Sequence, residues 1–265
     1  MKYLAKILRA HFAVEFIMLF RYPLDLASMY VIVTMVFAGI FLGIRAFVPA
    51  GQLMGETKAA VFIGYFFWSF YLLTVQSGSW EITMAANQGY LEREFLTPAG
   101  HGGTVVAKIL ANSVSGLIHY VIIATACALI FRVHLALDFP SVVVVFFFCY
   151  LFLVGVGLAF AGMALVFKRI GNFISVFQMV LMVLSFAALG KYPPAAETAL
   201  RWFPYTHAIR LLRAVLVRGE TFAYILQPAN LVPLAVSALG FFLLGLFAFH
   251  RLDRVAMERG LIGQF

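Results

Sequence analysis

Charged residues are scarce in this chain. Asp, Glu, Lys and Arg together make up 11% of its 265 residues, whereas a typical soluble domain has about 25%. Hydrophobic residues make up 64%, so the polar side chains are too few to cover a water-soluble globule. This composition excludes an ordinary soluble enzyme and predicts a protein whose solvent is a lipid bilayer.

Motifs that carry chemistry are also missing. The sequence contains no G-x-x-x-x-G-K-[ST] phosphate-binding loop, no G-x-S-x-G nucleophile turn and no H-E-x-x-H zinc motif. Its two cysteines, Cys127 and Cys149, lie within apolar runs, where a thiol behaves as a small hydrophobe. We therefore expect a chain that is not an enzyme, does not hydrolyse ATP alone, and holds neither a metal nor a cofactor.

The positive charge of the chain points to a membrane rather than to nucleic acid. The formal net charge is +8, but most basic residues flank the apolar runs. That placement is typical of membrane topology and of contact with lipid headgroups. We expect membrane lipids as partners and no nucleic acid.

Six apolar runs occupy most of the chain, and each is about as long as the roughly 20 residues that cross a bilayer as a helix. Only helices keep their backbone hydrogen-bonded against lipid in such runs. The sequence predicts an all-α integral membrane protein with six transmembrane helices, forming a single transmembrane domain over residues 1–265. The predicted spans are 24–44, 59–79, 104–131, 141–167, 173–189 and 231–249.

The segment before the first span predicts a helix lying in the membrane interface. Over residues 1–21, Lys2, Lys6 and Arg9 recur at helical spacing opposite apolar residues. A cleavable signal peptide is disfavoured because charged residues interrupt its apolar core. The distribution of basic residues in the short loops predicts that both termini are cytoplasmic.

A long connection, residues 190–230, joins the fifth span to the sixth. This segment is too polar to span the bilayer and too apolar to lie fully in water, so we expect a half-membrane helical hairpin at the outer interface. A surface helix with a solvated basic face is the alternative. Its basic side chains would suit an anionic headgroup, either of a substrate or of the bilayer itself. They are Arg201, Arg210, Arg213 and Arg218.

Polar residues inside the spans are the candidates for a substrate path. Lys108, Asn112, Ser115 and His119 lie on one face of the third span, where hydrogen bonding between helices and contact with substrate both remain open. The fifth span has a weaker counterpart, with two methionines interleaved. Its members are Ser175, Gln178, Met182 and Ser185.

Small residues recur four apart in two spans, a spacing that lets helix backbones approach closely. Packing within the membrane is the role that we expect for them. The pairs are Gly39 with Gly43, Gly155 with Ala159, and Gly157 with Ala161.

The loop after the second span, within 80–103, carries the most specific pattern. Residues 81–98, and above all Gly89-Tyr90-Leu91-Glu92-Arg93-Glu94-Phe95-Leu96-Thr97-Pro98, resemble the G-T-L-E-x-L-L-x-T-P element of permeases of the ABC type-2 exporter superfamily. The amphipathic N-terminal helix, the proline-containing connection before the last span and the short basic tail match as well. Glu94 and Phe95 depart from the pattern, which has two leucines there, and Tyr90 stands where threonine is commoner.

The resemblance implies that this loop is a coupling helix inserted into a groove on a separate ATPase subunit, which binds the ATP and Mg²⁺. It also implies a second permease copy or homologue, a bacterial inner (plasma) membrane location, and outward export of an amphipathic small molecule, drug or lipid. A lipid-linked glycan is an alternative cargo. A stand-alone lipid-modifying membrane enzyme, with His119 or His134 catalytic, is the alternative function. The coupling residues would be Gly89, Leu91, Glu92, Arg93, Glu94, Phe95, Leu96, Thr97 and Pro98.

Overall fold

The computed structural model describes residues 2–47, 55–89, 91, 100–187 and 194–260, and within them the chain is almost entirely helical, with no strand. The predicted all-α class is confirmed. The helices with described bounds are α1 (Lys2–Arg21), α2 (Pro23–Phe47), α3 (Gly55–Asn87), α4 (Gly100–Ile130), α5 (Phe139–Phe167), α6 (Gly171–Ala187), α7 (Pro194–Arg201), α8 (Pro204–Arg218), α9 (Phe222–Leu226) and α10 (Pro228–Glu258).

Each predicted span coincides with one long helix, namely α2, α3, α4, α5, α6 and α10 in turn. In the described part of the chain, four helical segments are long and apolar enough to cross a bilayer, and the apolar part of α6 is shorter. The chain is therefore a multi-pass membrane protein. The four segments are Pro23–Gly43, His101–Ile130, Phe139–Phe167 and Pro228–Glu258.

Helix α3 is the centre of the bundle. It packs against α4, α5, α6 and α8, and its side chains from Ala59 to Phe67 are buried. The buried hydroxyl of Thr74 donates to the carbonyl of Phe70, one turn earlier, at 3.0 Å. Because other helices surround α3, its polar residues need not meet lipid, and a less apolar sequence is tolerated there.

Long helices that follow one another in the chain, from α2 to α6 and on to α10, alternate in direction. Helices α2 and α4 run parallel, α3 and α6 run antiparallel to each other, and α3, α5 and α10 share one direction. The direction of α2 against α4 follows from the contacts Tyr30–His119 and Thr34–Cys127, and that of α3 against α6 from Trp68–Gln178 and Gly64–Ser185. The direction of α3 against α5 follows from Phe67–Phe146 and Gly78–Gly157. That of α5 against α10 follows from Phe152–Phe241 and Gly162–Phe249.

The closest backbone approach joins α5 to α10. A Cβ added at Gly155 would lie 2.6 Å from the Cα of Phe242, and one added at Gly245 would collide with the backbone of Gly155. The predicted packing role of Gly155 is confirmed. Gly39 and Gly43 in α2 have no atom within 4 Å of an added Cβ, so they pack against no other helix within the described chain.

Aromatic rings hold one end of the bundle together. Phe37 of α2 is fully buried and meets the ring of Phe131 edge-on, with centroids 5.0 Å apart, and that of Phe62 at 5.7 Å. Edge-to-face pairs of this kind add about 0.5–1.5 kcal/mol each beyond burial. Because lipid tails are as apolar as these rings, such specific packing matters more here than hydrophobicity does.

The described part of the long connection folds as three short helices, α7, α8 and α9, and its half-membrane position stays a prediction. Pro204 starts α8, and Gly219 ends it in the left-handed conformation, with φ of 73°. Nearly every residue of α8 up to Leu216 is buried, because the helix packs on α3, α5 and α10. The alternative of a solvated surface helix is therefore wrong for α8.

The predicted N-terminal helix is present as α1. It packs against α4 and touches α2, from which Tyr22, the residue before Pro23, separates it. Lys6 and Arg9 are exposed, whereas Ile7 and Leu8 are half-buried. The helix therefore turns Ile7 and Leu8 toward the bundle, whereas Val14 and Ile17 further along are exposed.

The contact between α5 and α10 yields a stability prediction. We expect Gly245→Ala to lower stability by about 1–3 kcal/mol, because the added methyl group must push the two helices apart. Gly240→Ala is the matched control, since an added Cβ there meets nothing within 4 Å. Thermal unfolding of both variants in detergent measures the difference. Equal melting temperatures would contradict the close contact.

Candidate coupling loop and substrate path

The candidate coupling loop leaves α3 through a glycine cap. The amide of Gln88 donates to the carbonyl of Met84 at 2.9 Å, and that of Gly89 to Ala86 at 3.1 Å. Gly89 has φ of 71°, a left-handed conformation that glycine adopts readily. Gly89 therefore ends the helix and turns the chain into the loop.

Leu91 is buried within the chain, with 2% of its surface exposed. This side chain fixes the start of the loop to the core instead of being offered to a partner. The other predicted coupling residues lie outside the described residues, so their interface role stays a prediction. They are Glu92, Arg93, Glu94, Phe95, Leu96, Thr97 and Pro98.

The loop re-enters the bundle at the start of α4, where a buried histidine meets the end of α10. His101 is 3% exposed, and its Nδ1 lies 2.9 Å from Oδ1 of Asp253. The ring of Phe249, one turn before Asp253, lies nearly parallel to the His101 ring at 6.1 Å. The second residue of α4 is thus joined to the C-terminal helix.

A second polar contact joins the two stems of the loop. Nζ of Lys108 in α4 lies 3.3 Å from a carboxylate oxygen of Glu81 in α3, and Nδ2 of Asn112 donates to the other oxygen at 3.3 Å. Lys108 is 8% exposed. The first half of the predicted polar stripe therefore holds α3 against α4.

The second half of the stripe faces α2. His119 Nδ1 is hydrogen-bonded to the hydroxyl of Tyr30 at 2.8 Å, and Ser115 is buried. Of the two uses that the sequence left open, hydrogen bonding between helices is the one that Asn112 and His119 make.

The predicted path residues of α6 fall on different sides of the helix. Ser175 is exposed, and Gln178 and Met182 are half-buried. Trp68 donates its indole N–H to the backbone carbonyl of Gln178 at 3.2 Å, so this part of α6 packs on α3. Ser185 is fully buried and bonded to the hydroxyl of Tyr205. Ser175 is thus the member best placed to meet a molecule outside the chain.

The basic segment of the long connection is largely engaged within the chain. Arg213 donates to the carbonyl of Ser185 at 2.8 Å, near the C-terminal end of α6, where a cation is favourable. Arg201 donates to the carbonyl of Ala229. Arg210 lies 3.8 Å from Glu197, whereas Arg218 is exposed.

His207 organises the same region, and it was not predicted from the sequence. Its Nε2–H donates to the backbone carbonyl of Asn230 at 2.8 Å, and its Nδ1 accepts from Arg210 at 3.0 Å. The two contacts require the neutral ring with its proton on Nε2. Asn230 in turn donates to the carbonyl of Tyr224 at 2.9 Å. The network ties α8 and α9 to the start of α10.

Sequence reasoning also missed Tyr30, Glu81, His101 and Asp253. Their partners lie between 27 and 152 positions away, so spacing along one helix gives no signal. The stripe from Lys108 to His119 was the available clue, since polar groups buried in a bundle need partners on neighbouring helices. In the described residues, no group of three His, Cys, Asp or Glu could hold a metal ion.

The pair between Glu81 and Lys108 can be tested by removing one charge or both. We expect Lys108→Met alone to destabilise the protein by about 1–3 kcal/mol, below the usual cost for a fully buried pair because Glu81 is partly exposed. The double variant Lys108→Met, Glu81→Gln should recover most of this loss, since it leaves no unpaired charge. Thermal unfolding is the measurement, and a double variant no more stable than the single one would exclude the pairing.

Comparison with known proteins bears on this arrangement. No curated protein and no solved structure matches the chain. Residues 51–247 match the family described as ABC-2 family transporter protein, and this stretch includes the loop, both of its stems, α6 and α8. The chain therefore belongs to the ABC-2 transporter family, the membrane subunits of ABC transporters.

Proposed function

We propose that the chain is the permease of an ATP-driven exporter and that a separate ATPase subunit docks on the loop between α3 and α4. The observation that carries the proposal is the way this loop is held. Its stems are joined by Glu81 and Lys108, and its re-entry point is bonded to Asp253. A loop that receives force from a motor subunit needs such rigid stems, because a slack one would absorb the movement.

Helix lengths support a cytoplasmic projection at this end. With 33 and 31 residues, α3 and α4 are about 50 and 46 Å long at 1.5 Å per residue. The hydrocarbon core is about 30 Å thick. Helix α1 packs on α4, and α2 meets the second half of α4, at His119 and Cys127. We infer that the first turns of α4 and the last turns of α3 extend beyond the bilayer.

The helix directions support six spans with both termini cytoplasmic. Helices α2, α4 and α6 would cross the membrane outward, and α3, α5 and α10 would cross it inward. The parallel and antiparallel contacts between these helices agree with that order. Helix α3 would be one of the six spans, because it is long and lies at the centre of the bundle. The segment of α7 and α8 would then lie at the outer side, where α8 is buried against α3, α5 and α10.

The docking role can be tested by reversing charge in the loop. We expect Glu92→Lys with Glu94→Lys to reduce the ATPase that co-purifies with the chain by about tenfold or more, which corresponds to about 1.4 kcal/mol and is typical for interface residues. Glu220→Lys, at the exposed C-terminal end of α8, is the matched control and should leave association unchanged. Wild-type association of the loop variant, or a wild-type chain that binds no ATPase, would refute the proposal.

For the cargo, we propose an amphipathic small molecule, drug or lipid that moves between two permease copies along α2 and α6. These helices expose large apolar side chains in the chain as described, and Ser175 is an exposed polar group near the start of α6. Gln178, Met182 and Ser185 lie further toward the core and support this surface from behind. Of the basic segment, Arg218 is the free side chain best placed for an anionic headgroup.

The path is tested by substrate-stimulated ATP hydrolysis of the reconstituted complex. We expect amphipathic or lipid-like compounds to stimulate hydrolysis, and Ser175→Trp to abolish the stimulation in a complex that still assembles, because the indole would fill the path. Val236→Trp, on the exposed face of α10, is the control and should keep the stimulation. Gln178→Trp should impair assembly instead, since the amide nitrogen of the Gln178 side chain is buried and a larger ring there must displace its neighbours.

A screen of this kind also distinguishes the alternative cargo. Stimulation only by lipid-linked glycans would identify a glycan exporter, and stimulation only by free sugars or inorganic ions would overturn the amphipathic assignment. No observation favours the stand-alone enzyme. His119 is bonded to Tyr30, and His134 is exposed in the connection between α4 and α5.

A further inference from the structure

The contact between His101 and Asp253 joins the candidate coupling loop to the C-terminal helix. His101 is the second residue of α4, and Asp253 lies in the second-to-last turn of α10. An ionised carboxylate only accepts hydrogen bonds, so Nδ1–H of His101 is the donor. A hydrogen bond to a charged group is stronger and shorter than a neutral one, and this one is 2.9 Å long at a buried ring.

The surroundings of this bond leave little room for α10 to slip. Phe249 lies against His101, and a Cβ added at Gly102 in α4 would be 3.3 Å from its ring. On the opposite side, a Cβ added at Gly162 in α5 would be 3.0 Å from the Cα of Phe249. The end of α10 is therefore held between the first turn of α4 and helix α5.

The other end of this chain of contacts lies in the membrane. One turn before Phe249, toward the N-terminus of α10, lies Gly245. Its backbone touches that of Gly155 in α5. Close-packed helices move as a unit because packed interfaces do not deform continuously. A displacement of the first turn of α4 would thus reach α5 through α10.

We propose that His101 and Asp253 are positioning residues that make the inner end of α10 follow the coupling loop. This inference rests on the proposed function, since it assumes that an ATPase moves the loop. In this arrangement the movement reaches the bundle by two routes, along α4 itself and through α10 into α5. Loss of the bond would leave the ATPase docked and active but would weaken the link between the loop and α10, because only the packing of Phe249 would remain.

The experiment measures the position of α10 directly, so it needs no identified substrate. Nitroxide labels are placed at Met257→Cys in α10 and Asn172→Cys at the start of α6, which are both exposed, whereas the native Cys127 and Cys149 are buried. The distance between the labels is measured by electron spin resonance in the complex with its ATPase, without nucleotide and with ATP and vanadate.

We expect the distance to change on ATP trapping in the wild-type complex and to change by less than half as much in Asp253→Ala. Asp253→Asn keeps an oxygen acceptor and should retain part of the change. The exchanged pair His101→Asp, Asp253→His keeps the contact and should retain most of it. Glu258→Ala, five residues further along α10 and exposed, is the control and should behave as wild type.

The outcomes separate this inference from the proposed function. An unchanged distance in a wild-type complex that hydrolyses ATP would overturn the inference alone, and so would a wild-type response of Asp253→Ala. If Asp253→Ala fails to fold, the wild-type measurement and the exchanged pair still decide. Absence of a co-purifying ATPase from the wild-type chain would instead refute the proposed function.

Discussion

A bilayer offers no hydrogen bonds, and this constraint fixes which helices of the protein lie together. Each polar group in the bundle must find its partner on the protein or remain unsatisfied at a cost of several kcal/mol. The hydroxyl of Tyr65 in α3 donates to the carbonyl of Val33 in α2 at 2.8 Å, and Trp68 reaches α6 in the same way. Such bonds specify neighbours that a purely apolar sequence would leave interchangeable.

Close packing between helices also specifies which helices are neighbours. Helices α5 and α10 touch through Gly155 and Gly245, and the ring of Phe37 is enclosed by rings from α3 and α4. Apolar side chains gain little from leaving lipid for protein, so contact geometry decides the arrangement. Helix α8 packs on α3 in the same way, with the ring of Tyr205 lying against those of Phe67 and Tyr71.

The candidate site shows where sequence reasoning stops. The loop after α3 could be recognised from its residue types and its position, because the motif of residues 89–98 is continuous in sequence. The stripe on α4 could be seen from helical spacing, but Glu81 and Tyr30 complete it from other helices. Nothing local distinguishes Asp253 from any charged residue near a terminus, and only its contact with His101 connects it to the loop.

By itself, the sequence determined that the chain is helical, that it lies in a membrane, where its long helices fall, and which loop resembles a coupling element. Those properties follow from composition, from the length of apolar runs and from a contiguous motif, all of which are local. The tertiary structure alone decided that Leu91 faces the core, that Arg213 binds the end of α6, and that α10 is joined to the loop. Each of these depends on which helix faces which, and that is set by contacts between residues far apart in the chain.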